Sequence, residues 1–218
     1  MRRIKRILAL LWALRPGGKI HSRSKIITTS HNLDIEVRGT IPKEQCILAS
    51  NHLGYLDPII LASLIECIPI AKRELASWPG IGRSLRRLGL IFYDRGNVAC
   101  GARVLRKAIS AIQSGENVLV FPEGTTTCGD SVLPFKRGMF GVSKLTDCPV
   151  VPISVDFANP KCTWAWEDTR TFVEHYWWQT NRKSTSITVK FFNPIYPHPL
   201  ETPEQMANRA RKLISLHK

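Results

Sequence analysis

The stretch from Asn51 to Asp57 places a histidine and a carboxylate five positions apart, directly before a proline. Histidine is the side chain best suited to accept a proton near neutral pH. A carboxylate that holds one imidazole nitrogen fixes the tautomer and makes the other nitrogen a better base. Gly54 permits a tight bend that brings Asp57 back against His52. The pattern indicates a general base, with an ordinary loop histidine and a helix-capping aspartate as the alternative interpretation.

The elements on either side of this stretch are a predicted strand and a predicted helix. The apolar run 46–49 is typical of a buried strand, and α/β proteins place their sites at the ends of such strands. Pro58 favours a helix start, because proline suits the first helical turn and disfavours helical geometry in the residue before it. We therefore expect a helix from Pro58 to about residue 65, capped by Asp57, with His52 in the preceding loop.

The remaining chain alternates between strand and helix patterns. Further strands are predicted at 33–37, 68–72, 88–93, 117–121, 149–155 and 187–192. Helices are predicted at 78–85, 97–113, from 138 to about 145, and from Thr202 onward. Pro69 places the strand 68–72 at a sheet edge, or itself at a strand start. This interleaving predicts an α/β fold, a single domain with a mixed, mostly parallel sheet flanked by helices.

The first 32 residues are predicted to lie outside the domain, which spans 33–218. Residues 1–14 are basic and apolar, too short to span a bilayer, and Arg15-Pro16 follows where a secretory signal needs small residues. We expect an amphipathic helix in the membrane interface, with docking on the domain as the alternative. Residues 15–32 are polar and predicted to be a linker. On the helix, two sets of residues would take opposite faces: Ile4, Ile7, Leu8, Leu11 and Leu14 against Arg2, Lys5 and Arg6.

Composition favours an anionic partner. The 218 residues include 31 Lys and Arg against 17 Asp and Glu, for a formal net charge of +14. Such a surplus suits nucleic acid, an anionic membrane surface or a phosphorylated substrate. Six cysteines occur without a C-x-x-C pair or metal-ligand spacing. We expect reduced thiols, a cytosolic compartment and no metal site.

Four short blocks stand in a recognisable order along residues 33–160. They are the N-H-x-x-x-x-D block of Asn51, His52 and Asp57, the G-x-x-F-x-x-R block of Gly89, Phe92 and Arg95, the E-G-T block of Glu123, Gly124 and Thr125, and the V-P-I block at 151–153. Through these blocks the chain resembles the lysophosphatidic acid acyltransferase family, the 1-acylglycerol-3-phosphate O-acyltransferases. Any one block is weak evidence, whereas four in order are strong evidence.

The resemblance implies an acyltransferase at the cytoplasmic face of a membrane. His52 would be the general base for the free hydroxyl of a lysolipid, and Asp57 would orient it. The acceptor implied is 1-acyl-sn-glycerol 3-phosphate, giving phosphatidic acid. The donor would be an acyl thioester on coenzyme A or acyl carrier protein, with no further cofactor. A positioned base accelerates such a reaction roughly a hundredfold to ten-thousandfold.

The resemblance also implies a binding site for the acceptor. Arg95 would grip the phosphate through paired hydrogen bonds, with a surface salt bridge to Asp94 as the alternative. Glu123, Gly124 and Thr125 would help to bind the acceptor, Glu123 by orienting a basic side chain or by accepting a bond from a glycerol hydroxyl. Two lysines, Lys72 and Lys136, are candidates for extra phosphate contacts, with solvated lysines as the alternative.

Departures from the family pattern leave other functions open. Thr126 stands where many members carry arginine, which leaves another acceptor such as lyso-ornithine lipid as the alternative to 1-acyl-sn-glycerol 3-phosphate. Gly54 replaces a commoner serine. The charge keeps a nucleic-acid-binding protein as a distant alternative, although no binding module is present. A non-catalytic membrane-surface protein is a third hypothesis. The aromatic stretch 164–178 is either membrane-facing, acyl-chain-lining or part of the core.

Overall fold

The structure is a computed structural model that describes residues 2–13, 15, 18–77, 81–94, 98–158, 171–181 and 184–217. The strands are β1 (Leu33–Arg38), β2 (Ile47–Ser50), β3 (Ile68–Lys72), β4 (Ile91–Tyr93), β5 (Val118–Val120), β6 (Val150–Phe157) and β7 (Thr185–Phe191). The helices are α1 (Arg2–Ala13), α2 (Ile20–Ser30), α3 (Asp57–Leu64), α4 (Ile81–Arg87), α5 (Val98–Gln113), α6 (Gly138–Thr146), α7 (Phe172–Gln179) and α8 (Pro203–Ser215). A 3₁₀ turn, Arg73–Ser77, follows β3.

The strands form a seven-stranded sheet in the order β1-β7-β6-β2-β5-β3-β4. Only the pair β6 and β7 is antiparallel among the described pairings. The predicted α/β fold with a mostly parallel sheet is therefore confirmed. Because β2, β5, β3 and β4 all run in one direction, their carboxyl ends lie at one edge of the sheet, here called the carboxyl edge.

Helices cover both faces of the sheet and create two apolar cores. Ile47 and Ala49 of β2 pack with α5, α6 and α8 on one face, while Leu48 packs with α3 on the other. All three side chains are fully buried. Burying an aliphatic side chain of this size stabilises a fold by about 1.5–3 kcal/mol. The strand that leads to His52 is thus fixed from both sides.

The linker predicted for residues 15–32 is wrong over most of its length, because α2 forms there. Its inward face is largely polar, with Arg23, Ser24 and Thr28 buried beside Ile27. The Arg23 guanidinium donates to the Ala13 carbonyl oxygen, and His21 Nδ1 lies 2.8 Å from the Ala62 carbonyl oxygen of α3. A helix that packs through polar groups shows no apolar periodicity, so its sequence resembles a linker.

Two strand predictions need correction. The strand predicted at 88–93 begins only at Ile91, because Leu88 and Gly89 form a turn with Gly89 at φ +82°. Strand β3 lies between β5 and β4, so the edge position allowed for it is wrong. Pro69 is the second residue of that strand, as the strand-start alternative required.

Helix α1 packs on the domain through Ile7 and Leu10 and through the buried Arg6. The Arg6 guanidinium is 1% exposed and donates to the carbonyl oxygens of Thr180 at 3.0 Å and His31 at 2.8 Å. These carbonyls close the C-terminal ends of α7 and α2, where the helix dipoles favour a cation. The outward side of α1 is apolar: Ile4, Leu8 and Leu11 are 63%, 57% and 57% exposed. Helix α1 thus contacts the domain, as the docked alternative has it, and the described chain leaves Ile4, Leu8 and Leu11 uncovered.

Candidate active site

The site begins where β2 ends at the carboxyl edge. Asn51, fully buried, donates from Nδ2 to the Val155 carbonyl oxygen at 2.9 Å and accepts from the Val155 backbone N–H at 2.8 Å. The β2–β6 ladder stops at the pair Ser50 and Ile153. The Asn51 amide therefore satisfies the next two backbone groups of β6, as the continuing strand would have done. This fastens the start of the loop 52–57 to the neighbouring strand.

His52 and Asp57 make the contact that their spacing predicts. His52 Nδ1 lies 2.8 Å from Asp57 Oδ2. The same oxygen accepts the backbone N–H groups of Leu53 at 2.6 Å and Gly54 at 2.8 Å, and Asp57 is fully buried. A carboxylate beside Nδ1 assigns the proton of the neutral imidazole to that nitrogen and leaves Nε2 with a free lone pair.

Asp57 does not cap α3, contrary to the prediction. It is the first residue of the helix, and no side-chain cap bond is made at this N-terminus. Its carboxylate is instead turned back onto the loop 52–54. Two backbone donors and one imidazole share Oδ2 of this carboxylate.

The ring of His52 is stacked on the ring of Phe121, with centroids 4.1 Å apart and planes inclined by 22°. The His52 side chain retains 17% exposure. The imidazole is thus fixed by a carboxylate on one side and an aromatic face on another, while part of it reaches solvent. This is the arrangement that a base for an incoming hydroxyl requires.

Glu123 acts within the protein framework. Its Oε1 accepts the His52 backbone N–H at 2.9 Å, and its Oε2 accepts the Leu133 backbone N–H at 2.9 Å. The side chain is 5% exposed. The carboxylate joins the loop 52–57, the end of β5 and the returning segment around residue 133. The sequence carried no signal for this role, because the partner amide of Leu133 is brought back only by the fold.

Gly124 is required by its backbone and by its surroundings. Its φ is +72°, and a Cβ there would lie 2.7 Å from Lys136 Nζ and 3.1 Å from Lys136 Cε. The ammonium of Lys136 therefore lies directly over the E-G-T turn. The turn itself is joined to the loop 52–57, since the Thr127 N–H donates to the His52 carbonyl oxygen at 2.9 Å. Lys136 therefore lies over a turn that is hydrogen-bonded to the backbone of His52.

Two further predicted binding residues, Thr125 and Lys72, lie along the same edge. Thr125 is half-buried in the turn after β5, and Lys72 is exposed at the last position of β3. Arg95 lies outside the described residues. Asp94, directly before it, accepts from Arg73 Nη1 at 3.0 Å. A groove beside the end of β4 is lined by Arg73, Glu74, Ala76, Ser77, Arg86 and Asp94.

The chain is similar to known acyltransferases. The sequence model of the Acyltransferase family matches residues 33–156, more than half of the chain. The 1-acyl-sn-glycerol-3-phosphate acyltransferase alpha of Homo sapiens is 35% identical over 130 residues, which are 56% of this chain and 46% of that protein. The 1-acyl-sn-glycerol-3-phosphate acyltransferase of Neisseria meningitidis serogroup B is 33% identical over 133 residues, 57% of this chain and 52% of its own length.

A further relative and a solved structure extend over more of the chain. The lyso-ornithine lipid O-acyltransferase of Pseudomonas aeruginosa is 23% identical over 187 residues, 84% of this chain and 71% of that protein. The crystal structure of the 1-acyl-sn-glycerophosphate acyltransferase from Thermotoga maritima matches with a TM-score of 0.63 at 20% identity, over 100% of this chain and 96% of that one. That likeness shows the fold. The chain spans about half of the length of the first two relatives.

Proposed function

The chain belongs to the Acyltransferase family, and on that premise we propose that it transfers a fatty acyl group from a thioester donor to the free hydroxyl of a lysolipid. One observation carries the proposal: His52 Nδ1 lies 2.8 Å from a buried Asp57 oxygen that two backbone amides also hold. An oriented base with a free Nε2 is what hydroxyl activation needs.

In the proposed reaction, His52 Nε2 removes the proton of the lysolipid hydroxyl as its oxygen attacks the thioester carbonyl. The tetrahedral intermediate collapses with cleavage of the C–S bond. The resulting imidazolium returns the proton to the leaving thiolate, so an ester and a free thiol are formed. Asp57 stabilises the imidazolium while it exists. Coenzyme A and acyl carrier protein are both donors with this chemistry.

For the acceptor we propose 1-acyl-sn-glycerol 3-phosphate, which would give phosphatidic acid. Lys136 over the E-G-T turn supports an anionic head group close to His52. Arg73 lines the groove beside β4 and is paired there with Asp94 at 3.0 Å. Lys72 and Arg95 remain predicted contacts of the same head group, and Thr125 of the acceptor.

Lyso-ornithine lipid is the second candidate acceptor. Thr126 and Thr127 occupy the turn where the family pattern often has arginine, and the relative that acylates lyso-ornithine lipid matches a larger share of this chain. A site with fewer cations has less preference for a phosphate over another acceptor.

We also propose that the protein acts at the surface of an anionic membrane, on the cytoplasmic face. None of the helices in the described segments is long and apolar enough to cross a bilayer. The outward apolar face of α1 and the net charge of +14 together support binding in the interface. An apolar face turned outward would be costly for a helix that only met water.

The test is acyl transfer by the purified protein. Labelled acyl-coenzyme A or acyl-acyl carrier protein is incubated with 1-acyl-sn-glycerol 3-phosphate or lyso-ornithine lipid, and the lipid product is identified. His52→Ala should reduce kcat by about a hundredfold or more, whereas the exposed His198→Ala should match the wild type. Full activity in His52→Ala would exclude the proposed base.

A further inference from the structure

The loop 52–57 carries the proposed base and is here called the catalytic loop. Its Tyr55 side chain reaches across to helix α7. Residues 52–54 face Asp57, and the backbone closes with a bond from the Asp57 N–H to the Gly54 carbonyl oxygen at 3.2 Å. Tyr55 sits at the apex of this turn and extends towards α7. Its hydroxyl lies 3.1 Å from His175 Nδ1, and the two rings meet edge to face with centroids 5.7 Å apart.

The chemistry of this pair suits a permanent hydrogen bond. Burial raises the pKa of Tyr55, so its hydroxyl stays protonated at physiological pH. The tyrosine can therefore donate to Nδ1 of a neutral His175. His175 is 3% exposed. A buried bond of this kind is costly to break, because each partner loses its solvation without compensation.

Helix α7 is also hydrogen-bonded to α1 and to the end of α2. Tyr176 Oη lies 2.7 Å from His31 Nε2, at the end of α2. The Thr180 carbonyl oxygen accepts from Arg6 of α1. The outer face of α7 carries Trp177 and Trp178, which are 51% and 50% exposed. Helix α7 thus contacts the catalytic loop through His175 and presents two tryptophans to the outside.

We propose that the Tyr55–His175 hydrogen bond is a positioning contact, through which helix α7 holds the His52–Asp57 loop in its reactive geometry. Asp57 fixes the loop from inside, and Tyr55 fixes its apex to a second element. Without that bond the loop keeps its own contacts but gains freedom to shift relative to the substrate. A displacement of about 1 Å at a reacting group lowers the rate by up to about a hundredfold.

The kinetic test rests on the proposed acyl transfer. Tyr55→Phe keeps the ring and removes the donor, and His175→Leu removes the acceptor. Each should lower kcat about tenfold and leave the KM values within about twofold, and the double variant should lose no more than either single one. His175→Asn, whose amide oxygen reaches the position of Nδ1, should retain most of the activity. The exposed Tyr196→Phe is the matched control.

A second readout needs no catalysis. The Leu53 and Gly54 amides donate to Asp57, so their hydrogen exchange reports the loop geometry. Tyr55→Phe and His175→Leu should exchange these amides about tenfold faster, with wild-type rates in Tyr196→Phe and His175→Asn. Unchanged exchange in Tyr55→Phe, multiplicative losses in the double variant, or an equal loss in His175→Asn and His175→Leu would each overturn the inference. A wild type without acyl transfer, yet with faster exchange in the variants, would reject only the proposed function.

Discussion

At the scale of single residues, one carboxylate oxygen organises the catalytic loop. Asp57 Oδ2 accepts from His52 Nδ1 and from two backbone amides. The imidazole therefore cannot rotate without leaving a buried carboxylate short of a donor. The same bonds orient the His52 ring and fold the loop, so removal of the Asp57 charge should disturb both.

Asp57→Asn tests the charge at nearly constant shape. If the amide oxygen takes the place of Oδ2, the three bonds can persist, but the charge that stabilises an imidazolium is gone. If the NH2 group takes that place, it donates to Nδ1, which favours the wrong tautomer, and it cannot accept the Leu53 and Gly54 protons. We expect kcat to fall by about a thousandfold or more, measured by acyl transfer at saturating substrates. The control is Asp130→Asn, at an exposed loop position. Equal losses in both variants, or none in Asp57→Asn, would contradict the assignment.

Gly124→Ala tests whether Lys136 serves the acceptor. The new methyl group would meet the Lys136 ammonium at 2.7 Å, so the lysine must leave its place. We expect the KM for a phosphate-bearing acceptor to rise about tenfold, the value of one charged hydrogen bond.

The matched control is Gly115→Ala, where φ is +84° but the space around a Cβ is empty. Both variants should lose about 1–2 kcal/mol of unfolding free energy from backbone strain. Only the change at 124 should alter the KM. An unchanged KM in Gly124→Ala would show that the ammonium does not touch the acceptor.

At the scale of elements, the end of α2 contains a buried histidine that makes stability depend on pH. His31 Nδ1 lies 2.8 Å from the Ile27 carbonyl oxygen, and Nε2 faces the Tyr176 hydroxyl. Burial lowers the pKa of His31 from 6.5 to about 4, against a smaller opposite effect of the Ile27 carbonyl and with a small contribution from the Arg6 charge.

Because the unfolded chain binds this proton below pH 6.5 and the folded chain does not until about pH 4, stability falls as the pH drops through that window. Wild type should lose up to about 1.4 kcal/mol per pH unit more than His31→Leu, measured by urea unfolding from pH 7 to 4. The exposed His198→Leu should follow the wild type. Parallel curves for wild type and His31→Leu would refute the prediction.

Predictability from sequence differed between elements for a physical reason. The capping box Thr202-Pro203-Glu204-Gln205 predicts α8, and both of its bonds are present. Helix α7 starts with an equivalent box, Thr171 with Glu174, so a local signal for it existed. Helix α2 has no capping bond at Lys19, and its buried face is largely polar. Neither a capping box nor an apolar periodicity therefore marks it in the sequence. The bonds of Glu123 to two backbone amides depend on loops that meet only after folding.

At the scale of the whole molecule, the apolar surface of α1 should govern membrane binding. Leu8→Glu replaces an exposed apolar side chain with a charge of the same sign as the lipid. We expect at least a tenfold weaker association with vesicles of phosphatidylcholine and phosphatidylglycerol, since burying a leucine contributes about 1.5–3 kcal/mol. Co-sedimentation measures this, and added salt should weaken binding of the wild type.

The matched control for that surface is Leu145→Glu on α6, where the leucine is 78% exposed. Helix α6 lies on the other face of the sheet, so this change should leave vesicle binding intact. Equal binding by Leu8→Glu and wild type would place the membrane contact elsewhere.

The exposed apolar side chains of α1 have a practical consequence for handling the protein. In plain buffer the uncovered leucines of two molecules can shield one another, so sedimentation should reveal reversible clusters. A mild detergent above its micelle concentration would cover the same helix and disperse them. Particle size would then follow the detergent present, and Leu8→Glu should stay monomeric in buffer alone.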